Sequence, residues 1–169
     1  MKIVGITYMT GAVEMVLKND SCLLNNSKPL FVPEWTEDLR ATRCLVLRVS
    51  RLGKCVEERF ADRYYDAVAF GMDFVAWDVI QRARKEGHSW TEALGFDYSL
   101  AVGSWMEQVP EGDWTVSPEQ AIAMVSSRMT IRQGDLIYIT AKCPPQPVQR
   151  EQVLQIDQDG ETKLFCRIK

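Results

Sequence analysis

The clearest pattern of apolar and polar positions lies between Leu45 and Ile80. Leu45, Leu47 and Val49 alternate with Val46, Arg48 and Ser50, the period of a strand with one buried face. Gly53 and Lys54 interrupt it. Phe60, Ala61, Tyr64 and Tyr65 then recur at helical spacing, which predicts a helical segment over residues 57–66. A second strand over residues 67–74 has unlike faces: Val68, Phe70, Met72 and Phe74 on one, Ala67, Ala69, Gly71 and Asp73 on the other. The apolar set of both strands predicts one buried sheet core. The carboxylate beside three small residues admits two readings. Either Asp73 is an acid on a solvated sheet face, the ordinary place for a charge, or the small residues leave room for something to approach it.

The rest of the chain divides into short pieces. Residues 2–8 (KIVGITY) predict a strand and residues 11–17 a turn of helix. Two extended pieces, 20–24 and 28–32, flank the turn cluster Asn25-Asn26-Ser27. A helix is expected over residues 77–86, burying Trp77 and Ile80, with Gly87 in the left-handed position that ends it. Ser89-Trp90-Thr91-Glu92 has the form of a capping box, and Ser117-Pro118-Glu119-Gln120 is the strongest helix start, with Ala121, Ile122, Val125 and Met129 as the buried face. Gln133-Gly134-Asp135 turns into a strand over 136–140, residues 143–148 form a proline-rich loop, and residues 153–168 form a hairpin around Asp159-Gly160. Many strands with a few short helices predict a mostly-β or α+β fold, in a single domain spanning residues 1–169.

Composition changes this picture little. Hydrophobic residues make up 46% and charged residues 25%, as in an ordinary globular protein, and a net charge of -3 argues against nucleic acid or an anionic membrane as partner. Five widely spaced cysteines (Cys22, Cys44, Cys55, Cys143, Cys166) form no C-x-x-C, and the single histidine, His88, is near none of them, so zinc is not expected. Reduced thiols, no signal-like start and no membrane-length apolar run predict a cytoplasmic location. Phosphate-binding loops, dinucleotide fingerprints and the G-x-S-x-G elbow are all missing. The residues by themselves leave one acid, Asp73, in a suggestive place and no function.

Four stretches change that. KNDSCLL (residues 18–24) is similar to K-P-x-S-A-L-L. Residues 47–81 resemble a stretch ending in N-D-x-x-x-R-D-x-Q. GFDYSLAVGSW (95–105) resembles G-K-S-F-D-x-x-x-P-x-G-x-W, and MTIRQGDLIYIT (129–140) resembles M-x-L-x-x-G-D-x-I-x-T-G-T. In this order the motifs resemble the catalytic domain of the fumarylacetoacetate hydrolase family. The resemblance implies a mixed β-roll with short peripheral helices, generally paired into dimers. It also implies chemistry on 2-oxo and enol acids: C–C hydrolysis, isomerisation or decarboxylation. A Mg²⁺ or Mn²⁺ ion, held by two glutamates and one aspartate, stabilises the enolate there, with a lysine and a His-Glu pair assisting.

Carried over by position, Asp73 matches the metal aspartate and is the one retained ligand. Thr42 and Cys44 stand where the two glutamates belong, Leu94 where the lysine belongs, and Gly11 where the histidine belongs, while Glu14 keeps its acid. Trp77 replaces the arginine of R-D, Asp78 keeps the aspartate, and the segment between Trp105 and Ser117 is shortened. A hydroxyl and a thiol cannot stand in for two carboxylates around a hard cation. The preferred reading is therefore a catalytically impaired member with no cofactor, acting as a binding module or as a structural subunit beside an active relative. The alternative is a metal-dependent hydrolase, isomerase or decarboxylase of 2-oxo acids with a site rebuilt around Glu14, Asp73, Asp78 or Cys44. Either way the expected associations are a homodimer or a hetero-oligomer with a paralogue, with a small 2-oxo acid as ligand.

Overall fold

A computed structural model describes residues 1–25 and 27–169, so the turn expected at Asn25-Asn26-Ser27 lies partly outside the described residues. The chain runs β1 (Ile3–Thr7), β2 (Glu14–Lys18), a 3-10 turn (Asp20–Cys22), β3 (Leu23–Asn25), β4 (Leu39–Val49), a 3-10 segment (Glu58–Tyr64) and β5 (Tyr65–Ala76). After these come α1 (Trp77–Glu86), α2 (Thr91–Leu94), β6 (Leu100–Val102), α3 (Pro118–Arg128), β7 (Leu136–Thr140), β8 (Gln146–Pro147), β9 (Val153–Gln158) and β10 (Glu161–Arg167). Seven strands pair in the order β2-β1-β7-β4-β5-β6-β3, with β8 added beside β4, and β9 and β10 form a separate hairpin. The order puts β2 and β3 on opposite edges, yet only Asn19 and the three-residue turn separate them in the chain. The sheet must therefore curl until its edges approach one another, giving a half-barrel with one face turned inward.

Long antiparallel pairing of β4 with β5 anchors this sheet, with Thr42 opposite Asp73 and Cys44 opposite Gly71. The apolar alternation of both strands is buried as expected, but not in one cluster. Leu45, Leu47, Val49 and Val68 pack under α3 with Val4, Ile6, Ile122 and Val125. Phe70 and Phe74 pack under the β9–β10 hairpin with Leu164, Cys166 and Ile168, and Met72 is only partly buried there. Each fully buried aliphatic or aromatic side chain contributes about 1.5–3 kcal/mol by its removal from water.

Three local expectations are corrected. Residues 11–17 form no helix: residues 14–18 are β2, paired antiparallel with β1 from Ile3↔Lys18 to Thr7↔Glu14. The helical stretch after Gly53 is a 3-10 segment, with Ala61 buried. No capping box forms at Ser89; the Thr91 amide donates to Ser89 Oγ at 3.3 Å, and Trp90 stands at the cap without a side-chain bond. By contrast α1 and Gly87, whose φ is 71°, lie where predicted, although Trp77 is only half-buried while Ile80 is fully buried. The Ser117 box of α3 is complete in both directions.

Candidate functional site

Strand periodicity decides which side chains meet inside the roll. On the inward face β4 presents Thr42 and Cys44, β5 presents Gly71 and Asp73, and β7 presents Tyr138 and Thr140. Alternation places Glu14, Val16 and Lys18 of β2 on that same side. Two glycines make the packing possible. A Cβ on Gly5 would lie 2.2 Å from Cζ of Tyr138, whose ring crosses β1 there. A Cβ on Gly71 would lie 2.8 Å from both Cys44 Sγ and the Ala101 carbonyl. The small residues beside Asp73 thus receive neighbouring protein atoms, and the room they leave is filled.

Asp73 is neither on a solvated face nor open to a ligand, since it is 1% exposed. Its Oδ1 lies 3.1 Å from Nζ of Lys18, a side chain with no exposure at all. The three N–H groups of the same ammonium are shared among the Leu94 carbonyl at 2.6 Å, Ser99 Oγ at 2.9 Å, and the carbonyls of Ser99 and Phe74 at 3.2 and 3.3 Å. Burial pushes the Asp73 carboxyl up, while the Lys18 charge and the Tyr138 hydroxyl pull it back. Burial, with the Asp73 charge added, pushes the Cys44 thiol and the Tyr138 phenol well above their ordinary values, so both stay neutral. A neutral, fully buried thiol is no nucleophile.

The residues here do not fit a divalent cation. Thr42 and Cys44 carry no charge, and the single carboxylate is already bound to an internal ammonium. Among the described residues no cluster of three or more His, Cys, Asp or Glu side chains could hold a metal ion. Leu94 is buried in an apolar cluster and contributes only its carbonyl.

The other retained acids lie elsewhere. Glu14 sits at the far end of β2 from Lys18, four residues or roughly 13 Å away along a strand. Its Oε2 is buried without a hydrogen-bond partner, as is Oγ1 of Thr7 opposite it. Asp78, in the first turn of α1, accepts from Thr36 Oγ1 at 2.5 Å and from the Glu37 amide at 3.2 Å, which ties the preceding loop to the helix. Burial opposes that charge, but these bonds outweigh it and hold the Asp78 carboxyl below its usual value. The structure therefore does not gather Glu14, Asp73 and Asp78 into one constellation.

A cleft of about 560 Å³ opens where the loop after β1 meets α1. Tyr8, Met9, Thr10 and Gly11 line it from that loop, and Pro144 also contributes. Trp77, Gln81 and Arg84, spaced i, i+4 and i+7 on one face of α1, line it from the helix. Arg84 rests 5.8 Å from the Trp90 ring centroid, and Lys142 stands 5.9 Å from that of Tyr8. Among the described residues no carboxylate lines this cleft. Gly11 and Trp77, singled out from sequence, lie in its walls, and Gln81 and Arg84 join Trp77 there on one face of α1, a grouping for which the helical spacing was the available signal.

No protein-family model matches the chain. Curated sequences do: the mitochondrial oxaloacetate tautomerase FAHD1 of Bos taurus is 25% identical over 177 residues, covering 92% of this chain and 80% of that protein. Its counterpart in Mus musculus is 22% identical with the same coverage. Among solved structures, a fumarylacetoacetate hydrolase family protein from Yersinia pestis superposes with a TM-score of 0.86 at 17% identity, covering 99% of this chain and 92% of the other. The fumarylpyruvate hydrolase of Pseudomonas aeruginosa, in complex with Mn²⁺ and pyruvate, gives 0.84 at 18% identity, covering 99% and 88%. The chain has the fold of the fumarylacetoacetate hydrolase family, and its sequence resembles that family along nearly its whole length.

Proposed function

We propose that the chain is a member of this family that binds a small carboxylate without the metal-dependent chemistry of its relatives, either alone or as a subunit beside an active paralogue. One observation carries the reading: the acid and the thiol of the inward face are sealed within the protein while a cleft with binding groups stays open. Asp73 is tied to Lys18, and Cys44 is neutral and sealed. The cleft keeps a guanidinium, a carboxamide, hydroxyls and two aromatic faces, with no negative charge to repel an anion. Relatives named for oxaloacetate and fumarylpyruvate support 2-oxo acids as the ligand class.

Isothermal titration with oxalate and pyruvate, with and without Mn²⁺, tests this beside a turnover assay on oxaloacetate. The expected outcome is metal-independent oxalate binding that Arg84→Ala weakens about tenfold, with no turnover above buffer. Mn²⁺-dependent turnover, or micromolar Mn²⁺ binding that Asp73→Ala abolishes, would overturn the reading.

A second reading has one observation of its own, the unpartnered buried oxygen of Glu14. A carboxylate so placed could act as a base in an isomerase or hydrolase that needs no ion at Asp73. Metal-independent turnover lost in Glu14→Gln would favour it.

A further inference from the structure

The surroundings of Lys18 Nζ form a shell of five oxygens: Leu94 O at 2.6 Å, Ser99 Oγ at 2.9 Å, Asp73 Oδ1 at 3.1 Å, Ser99 O at 3.2 Å and Phe74 O at 3.3 Å. These atoms come from β5, from α2 and from the residue leading into β6, elements that contact one another directly as well as through Lys18. The Ser99 hydroxyl also donates to the Leu94 carbonyl at 2.9 Å, which holds two walls of the shell in place. One of the five oxygens belongs to a carboxylate, that of Asp73. The shell's distances are near those of N–H···O bonds and well beyond the roughly 2.0–2.1 Å that Mg²⁺ demands.

We propose that this shell is a monovalent-cation site, suited to a primary ammonium, and that Lys18 fills it from β2 with its own side chain. The ammonium faces Asp73, the position matching the metal aspartate, and also the carbonyl of Leu94, the position matching the lysine. One tethered charge thereby serves a face that the resemblance would furnish with an ion and a second lysine. The fully buried Asp73 has its counterion supplied by the protein itself, from Lys18 at 3.1 Å. The site lies inside the roll, apart from the cleft lined by Arg84. Its test is independent of turnover and of oxalate binding, so this inference and the proposed function fail separately.

Thermal unfolding of the full chain carrying Lys18→Ala is the direct experiment, run in tetramethylammonium, ammonium and ethylammonium chlorides at equal ionic strength. In tetramethylammonium the midpoint should fall by roughly 10 °C, the scale expected for breaking a buried pair in a chain of this size. Ammonium and ethylammonium should restore a concentration-dependent part of that loss. The restoration should vanish in Lys18→Ala with Asp73→Asn. An equal response to all three salts, or no loss, would overturn the proposal. Should Lys18→Ala fail to fold, Lys18→Met alone and with Asp73→Asn supply the second comparison. A double variant more stable than the single one supports a charge-matched site. A double variant that is no better means Lys18 acts through packing alone, and the proposal falls.

Discussion

Leu17 and Lys18 invert the usual rule of burial. The leucine is 56% exposed and the lysine beside it 2% exposed, because β2 is an edge strand whose inward positions meet the oxygens of the interior. Hydrophobicity alone therefore points the wrong way at these two residues. That is why Lys18 was legible only as part of a motif and not as the partner of Asp73. The acid itself was found from its odd strand face, but its partner comes from a strand that does not neighbour β5 in the sheet. Cys44 shows the same gap, since its position in the chain says nothing of its seal. Its inertness can be measured. With Cys55 and Cys143 exposed and Cys22, Cys44 and Cys166 buried, a thiol reagent should label Cys55 and Cys143 in the native protein and the other three only after unfolding. Rapid native labelling of Cys44, identified by peptide mass, would contradict the geometry and reopen it as a nucleophile.

At the scale of elements, several strong local signals stand in the structure, although the Ser89-Trp90-Thr91-Glu92 pattern forms no capping box. The Ser117 box, the Gly87 end of α1, the Asp159-Gly160 hairpin and the β4–β5 alternation each carry their own chemistry in sequence, and each stands in the structure. β2 has only five residues of mixed burial, and so short a run cannot separate strand from helix. The turn into β7 offers a prediction of its own. Asp135 accepts from the amides of Lys2 at 3.0 Å and Arg132 at 2.8 Å, and it pairs with the Lys2 ammonium, so one side chain ties β1 to β7. Burial alone would raise its pKa, but these bonds outweigh it and hold the carboxyl below the usual range. A carboxylate depressed in the folded state stabilises the protein above its unfolded pKa of about 3.9, and that contribution is lost as pH falls through the lower folded value. Stability measured by urea should decline below about pH 4, and Asp135→Asn should lose about 2 kcal/mol at neutral pH and flatten that decline. An unchanged acid profile in the variant would show that other carboxylates govern it.

For the whole molecule, the class of fold followed from counting short strands and from the resemblance, whereas the closure of the roll did not. Closure depends on β1 pairing in parallel with β7 and on the four residues between β2 and β3, neither of which leaves a local mark. The curled sheet keeps its β2 edge open, with Leu17 and Met1 exposed along it, and we expect a dimer or a complex with a paralogue to cover apolar surface of this kind. Light scattering at micromolar concentration should report a mass above that of one chain, or a pull-down should retain a paralogue; monomer alone in both would refute the expectation. The parallel pairing of Ile3–Ile6 with 136–139 also sets a schedule for the ribosome. The hairpin of β1 and β2 is made first, yet the strand that flanks β1 on its other side is among the last to emerge. Until then Val4 and Ile6 lack the Ile137 and Ile139 they pack with, and the early hairpin must stay soluble with one edge bare. A nascent chain stalled before residue 136 should consequently be bound by holdase chaperones, and one stalled after β7 has cleared the exit tunnel should be released from them.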